Sequence, residues 1–241
     1  MTQVLTVRNL SIGYYRTQPL LTDINMTSSK GLLLLLLGSN GIGKSTLLKT
    51  IAGIIAPISG SILIDGKDIN IAAPTLRVQA VSALFTDRDI DPYISVYELV
   101  ALGRYSYTHW LGSLSAIDQH HINKAINTLQ IQHLINKKVS ELSDGEKQKA
   151  LIAKCIAQDS PVIIMDEPTA FLDYKYKIEI FKTIKRLCQL EGKTILLSTH
   201  DIATALPYCD ILYVLSENRK FSKVPDTNRD IDSVISLLEY S

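Results

Sequence analysis

The chain contains Leu32-Leu33-Leu34-Leu35-Leu36-Leu37-Gly38-Ser39-Asn40-Gly41-Ile42-Gly43-Lys44-Ser45, an apolar run that leads into a glycine-rich turn. The leucines predict a buried strand. Lys44 to Ala52 predicts a helix that is closed by Gly53, with Pro57 beyond it. The turn fits Gly-x-x-x-x-Gly-Lys-Ser/Thr, in which free amides at a helix N-terminus surround a polyphosphate. This stretch therefore predicts a phosphate-binding strand, loop and helix.

Two side chains of this loop have separate expected roles. Lys44 would contact the β and γ phosphates of a nucleotide, and the hydroxyl of Ser45 would bind Mg²⁺. The alternative is a glycine-rich turn with a solvated lysine. We expect the loop contacts to come from Gly38, Ser39, Asn40, Gly41, Ile42, Gly43, Lys44, Ser45 and Thr46.

A second apolar strand, Val162 to Met165, ends in two carboxylates. Asp166 at the end of a buried strand can hold Mg²⁺ through water, while Glu167 is free to polarise an attacking water. The two acids with Pro168 also fit a plain helix N-terminus, where negative charge is favourable.

Composition narrows the function classes. The 241 residues carry 25 Lys+Arg against 24 Asp+Glu, which argues against a nucleic-acid partner. The densest apolar run is far shorter than the ~18 residues of a spanning helix. The first eight residues alternate like a strand and do not resemble a signal peptide, so we expect a cytosolic chain. Three widely spaced cysteines, Cys155, Cys188 and Cys209, indicate buried reduced thiols.

The remaining pattern predicts an α/β fold. Further strands are expected at Leu20 to Met26, Ser61 to Ile64 and Thr194 to Leu197. Between about 87 and 155 strand signals vanish, and Ser95 with Glu98 and Ser143 with Glu146 fit capping boxes. We predict a single domain, with a core at about 1–86 and 156–241 and a helical subdomain at about 87–155. The tail from about Ser216 predicts a polar turn and a final helix, Ser233 to Tyr240.

The segment Leu142-Ser143-Asp144-Gly145-Glu146 resembles the signature Leu-Ser-Gly-Gly-Gln of the ATP-binding cassette family. The order of glycine loop, signature, Asp166-Glu167 and a late His200 is also that of these ATPases. The resemblance covers almost the whole chain. It implies a phosphate-loop core with an N-terminal antiparallel β portion, MgATP as substrate, and a dimer in which each ATP lies between one glycine loop and the other subunit's signature helix.

The resemblance also implies roles for single residues. Tyr14 would stack on adenine, with Tyr15 as a rival, and His200 would contact the γ-phosphate. Ser143 and Gly145 would offer amides to ATP of the facing subunit, while Ser143 also caps its helix. Asp173 matches a loop that meets its copy across the dimer, although Ala170 replaces the usual serine. Asp144 departs from the usual glycine, and we expect it to point to solvent.

Thr86 stands where most members carry a glutamine that reaches Mg²⁺. Its hydroxyl could ligate the ion, but the side chain is two bonds shorter. We therefore expect water to occupy that position and do not expect direct metal contact by Thr86.

The run Ser95 to Tyr105, with Tyr107 and Trp110, looks like the ATPases of importers for iron-siderophore, haem and cobalamin. This likeness implies a separate membrane permease, an extracytoplasmic solute-binding protein and a place at the cytoplasmic face of the membrane. The aromatic cluster is either a docking surface or the subdomain's own core. A soluble cassette ATPase and a catalytically silent nucleotide-binding adaptor are the alternative functions.

Overall fold

The computed structural model describes residues 3–85, 90–108 and 113–240. The strands are β1 (Gln3–Ile12), β2 (Leu21–Ser29), β3 (Leu33–Gly38), β4 (Ser59–Ile64), β5 (Lys67–Asp68), β6 (Val81–Leu84), β7 (Val162–Asp166), β8 (Thr194–Ser198), β9 (Ile211–Leu215) and β10 (Phe221–Val224). The helices are α1 (Lys44–Ile51), α2 (Pro74–Ala80), α3 (Val96–Ala101), α4 (Ala116–Thr128), α5 (Asp144–Ala157), α6 (Tyr174–Glu191), α7 (Ile202–Ala205) and α8 (Ile231–Tyr240).

The described strands form two sheets. An antiparallel sheet has the order β2-β1-β4-β5. The second sheet has the order β10-β9-β3-β8-β7-β6, and its strands run parallel except for β10. The α/β fold class with an antiparallel portion is confirmed.

The leucine run forms β3 near the middle of the six-stranded sheet. Leu33 through Leu37 are at most 1% exposed, because β8 and β9 flank the strand and side chains of both faces enter the core. Burial of one leucine contributes about 1.5–3 kcal/mol. Parallel strands place their carboxyl ends at one edge, so Gly38, Asp166 and Ser198 meet there.

Between Leu84 and Val162, the described residues form helices and turns, with one antiparallel bridge between Ser95 and Lys138. Both expected capping boxes are present, on α3 and α5. The division of the chain near residues 87 and 155 stays a prediction.

Four of these strands were not predicted. β5 is a two-residue strand that pairs with β4. β6 and β9 are short apolar runs, and β10 lies in the tail for which only a turn and a helix were expected. The expected final helix is present but begins earlier, at Ile231. β9 takes its place by pairing with β3, from Leu34↔Ile211 onward, a contact between segments far apart in the chain.

Candidate functional site

The glycine loop joins β3 to α1, and three positions require glycine. Gly41 and Gly43 have φ values of +77° and +119°, which side chains rarely adopt. A Cβ on Gly38 would lie 2.8 Å from the backbone oxygen of Leu215. The chain therefore turns tightly enough to present α1 end-on at the carboxyl edge of the sheet.

Lys44 is the first residue of α1 and is buried beneath the loop. Its Nζ donates to the backbone oxygens of Gly38 at 2.7 Å and Ser39 at 3.0 Å. Burial lowers the pKa of Lys44, while the nearby charges of Glu167 and Asp166 act in the opposite direction. The first amides of α1 lack acceptors within the helix and carry its positive end. Amides and ammonium group together favour an anion at this loop.

The rest of the loop differs in exposure. Ser39, Asn40 and Ser45 are exposed, Thr46 is buried, and Ile42 packs against the core beneath β3.

Asp166 and Glu167 follow at the end of β7. Asp166 is 4% exposed, and its Oδ1 accepts a 2.6 Å hydrogen bond from the Ser198 hydroxyl. The backbone N–H of Glu167 donates to both Ser198 Oγ, at 3.1 Å, and Ser198 O, at 3.2 Å. Glu167 has a φ of +50°, unusual for a residue with a side chain. Ser198, at the end of the neighbouring strand β8, therefore binds both the Asp166 side chain and the Glu167 backbone.

His200 follows β8 and meets Glu167. His200 Nδ1 lies 2.8 Å from Glu167 Oε2. The histidine side chain is 60% exposed, whereas that of Glu167 is 15% exposed. The other oxygen, Glu167 Oε1, is buried and has no hydrogen-bond partner among the described residues. Such a carboxylate retains an oxygen that can accept a proton.

The loop and the acidic pair line one open cleft. Its lining residues are Tyr14, Leu20, Asn40, Gly41, Gly43, Lys44, Ser45, Thr46, Asp166 and Glu167. Tyr14 lies within hydrogen-bond distance of Thr46, with 3.3 Å between the two hydroxyl oxygens, and its side chain is otherwise exposed. Its rival Tyr15 does not line the cleft. The Ser45 hydroxyl and the Asp166 carboxylate are hard oxygen donors, and this chemistry fits Mg²⁺ bound together with phosphates.

Ser143 and Gly145 lie outside this cleft, at the start of α5. Ser143 caps the helix: Glu146 Oε2 accepts from its backbone N–H at 2.9 Å, and Glu146 N donates to its hydroxyl at 3.4 Å. The Ser143 N–H is the main reason that the pKa of Glu146 is lowered. Gly145 is buried, while Asp144 is exposed as expected.

The other residues that the sequence singled out differ in their contacts and exposure. Asp173 caps α6 by accepting from the Tyr176 N–H at 3.1 Å. Tyr107 lies under the Arg104 guanidinium, 3.9 Å from its ring centroid to Cζ, whereas Tyr105 is 75% exposed. The aromatic cluster is thus partly internal and partly open to solvent. Thr86 and Trp110 lie outside the described residues, and the expectations about them stay predictions.

Sequence reasoning missed Ser198. It binds Asp166 through its hydroxyl and holds Glu167 through both of its oxygens. The available signal was a polar residue at the end of an apolar strand, immediately before Thr199-His200.

A comparison with protein families matches residues 21–170 to the family described as ABC transporter. The achromobactin transport ATP-binding protein of Dickeya dadantii is 34% identical over 219 residues, which cover 91% of this chain and 81% of that protein. The petrobactin import ATP-binding protein of Bacillus subtilis is 36% identical over 222 residues, which cover 92% and 87%. A solved ABC transporter described as of the metal-chelate type, in an inward-facing conformation, contains a similar chain with a TM-score of 0.82 and 26% identity, over 98% of this chain and 88% of that one.

Among the residues that the structure describes, no helix combines the length and apolar character needed to span a bilayer.

Proposed function

This chain belongs to the ABC transporter family as an ATPase of an import system, and we propose that it drives the uptake of a metal chelate, an iron-siderophore complex, through a separate permease. Two copies would act together at the cytoplasmic face of the membrane. A solute-binding protein outside would deliver the chelate. The names of the achromobactin and petrobactin relatives support this substrate class.

The observation that carries the proposal is the meeting of three distant sequence segments at one edge of the sheet. Lys44 and Asp166 line the cleft, Glu167 lies beside them, and His200 contacts Glu167 at 2.8 Å. A loop that binds phosphates and a carboxylate with a free oxygen are the groups that hydrolysis of a phosphoanhydride requires.

In the proposed reaction, a water oxygen attacks the γ-phosphorus of ATP while the bond from that phosphorus to the β-phosphate bridging oxygen breaks. Glu167 accepts the proton of the water, and His200 holds Glu167 and the γ-phosphate in place. Lys44 and the loop amides stabilise the charge on the phosphate oxygens, and Tyr14 stacks on adenine. Ser45, and Asp166 through water, would hold Mg²⁺, which neutralises phosphate charge when bound.

The proposed second copy accounts for the location of the signature. The capping box at the start of α5 uses the amides of Ser143 and Glu146 and does not use those of Asp144 and Gly145. Ser143 and Gly145 nevertheless lie outside their own chain's cleft. In a head-to-tail pair, these amides would face the γ-phosphate bound to the other copy. Asp173 would lie near its own counterpart in that arrangement.

The test is import in cells. The chain is co-expressed with membrane-spanning permease subunits, and uptake of ⁵⁵Fe-labelled siderophore is measured. We expect uptake with the wild-type chain, and none with Glu167→Gln, which should still sediment with the membranes. An ATPase that never associates with those subunits would instead be a soluble cassette enzyme, and uptake of cobalamin alone would overturn the iron-siderophore assignment.

A further inference from the structure

Tyr176, in the first turn of α6, lies directly against the signature glycine. A Cβ built on Gly145 would be 3.2 Å from Tyr176 Cδ1 and 3.3 Å from Cε1. The ring therefore contacts the backbone of the second residue of α5. Only a residue without a side chain permits this contact without displacing the ring.

A second contact lies one turn further along α5. Lys149 Nζ is 5.5 Å from the centroid of the Tyr176 ring and donates to Glu179 Oε1 at 2.7 Å. A cation over an aromatic face is favourable. Gly145 and Lys149 are four residues apart and so share one face of α5. The ring thus meets that face at two successive turns.

Hydrogen bonds near His200 fix the segment of α6 that carries Tyr176. Its N–H is bound by the Asp173 cap at 3.1 Å. Its neighbour Lys177 donates to Asp201 Oδ2 at 2.9 Å, next to His200. Asp201 in turn caps α7 through Thr204. The start of α6 is therefore fixed relative to the His200 loop, and from there it presents the ring to α5.

We propose that Tyr176 is a positioning residue that holds the Ser143–Gly145 end of α5 in the place where it receives the nucleotide bound to the second copy. This inference rests on the proposed function, because it assigns a role within the two-copy assembly. The Tyr176 ring would touch no substrate. Its loss would let the amides of α5 shift, and hydrogen bonds to phosphate weaken steeply when their geometry is lost.

The experiment compares Tyr176→Ala, Tyr176→Phe and Phe181→Leu. Phe181 is fully buried in the same helix and stacks on Tyr208. Phe181→Leu should therefore destabilise the chain while the contact between Tyr176 and Gly145 stays intact. Each variant is made with intact Glu167 for ATPase assays and with Glu167→Gln for light scattering in MgATP. Melting temperatures and binding of a fluorescent ATP analogue by the single chain are measured as well.

We expect Tyr176→Ala to lower the MgATP-dependent association constant and the saturated ATPase rate by about tenfold or more, with analogue binding changed by less than about twofold. Tyr176→Phe keeps the ring and should restore both properties. Phe181→Leu should lower the melting temperature but leave association intact.

Three results with the variants overturn this inference alone. Tyr176→Ala associates like its parent, Tyr176→Phe fails to rescue, or Phe181→Leu loses association in proportion to its lost stability. A parent Glu167→Gln chain that binds MgATP but never associates overturns the two-copy proposal and this inference with it.

Discussion

Replacing Glu167 by Gln tests the proposed chemistry most directly. Glutamine has nearly the same shape and can keep the contact with His200 Nδ1, which lies 2.8 Å from Glu167 Oε2. The backbone bonds to Ser198 do not involve the side chain and should persist. What the variant lacks is an oxygen that can take a proton from water.

Loss of a general base costs about 10² to 10⁴ in rate, or ~2.7 to 5.4 kcal/mol of barrier. Nucleotide binding should not weaken. Lys44 keeps its carbonyl partners Gly38 and Ser39, and a negative charge that would face the phosphates is removed. The expected result is a chain that binds MgATP at least as tightly as the wild type and hydrolyses it at least about a hundredfold more slowly.

Phosphate release in a single turnover at saturating MgATP measures hydrolysis, and a fluorescent ATP analogue measures binding. Glu191→Gln is the matched control, because Glu191 pairs with Lys124 at the end of α6 and does not line the cleft. A rate for Glu167→Gln within about tenfold of the wild type would refute Glu167 as the base.

Three further predictions concern the nucleotide site and its signature. Lys44→Ala removes the ammonium group from the loop and should abolish tight binding of the ATP analogue; wild-type affinity would contradict the phosphate-loop assignment. Tyr14→Ala should weaken analogue binding by about 1–3 kcal/mol through lost stacking, whereas Tyr14→Phe should not, and Tyr15→Ala, measured in the same titration, should leave it unchanged. The pKa of Glu146 is lowered by the Ser143 N–H, so the stability that its charge contributes is complete above the ordinary value of 4.5 and is lost as pH falls through the lower folded value. The difference in urea unfolding free energy between wild type and Glu146→Gln should therefore shrink on acidification. A difference that grows would show that the charge of Glu146 does not stabilise the fold.

Local patterns made much of the fold predictable. The leucines specify a strand, the glycines a turn and Lys-Ser the start of a helix, each through neighbours in the sequence. The structure has β3, the loop and α1 where they were expected. The capping boxes at Ser95 and Ser143 are likewise present, because their partners lie three residues apart.

Strands stabilised by distant partners were not predictable in the same way. Ile211–Leu215 is too short to be distinguished from a helical segment by periodicity, and it becomes β9 through its pairing with β3. The tail strand Phe221–Val224 depends in turn on β9. Their formation depends on contacts that no short window of sequence contains.

For the site, the sequence by itself determined which chemical groups are available: the loop amides, the ammonium group of Lys44, two carboxylates and a histidine. Only the tertiary structure decided how they meet. The strand order β3-β8-β7 brings His200 to Glu167 and lets Ser198 hold both acids. The packing of α6 on α5 likewise sets Tyr176 against Gly145. Motifs specify residues through local backbone geometry, whereas distances between motifs depend on how sheets and helices pack, and that is decided by the buried contacts of the whole chain.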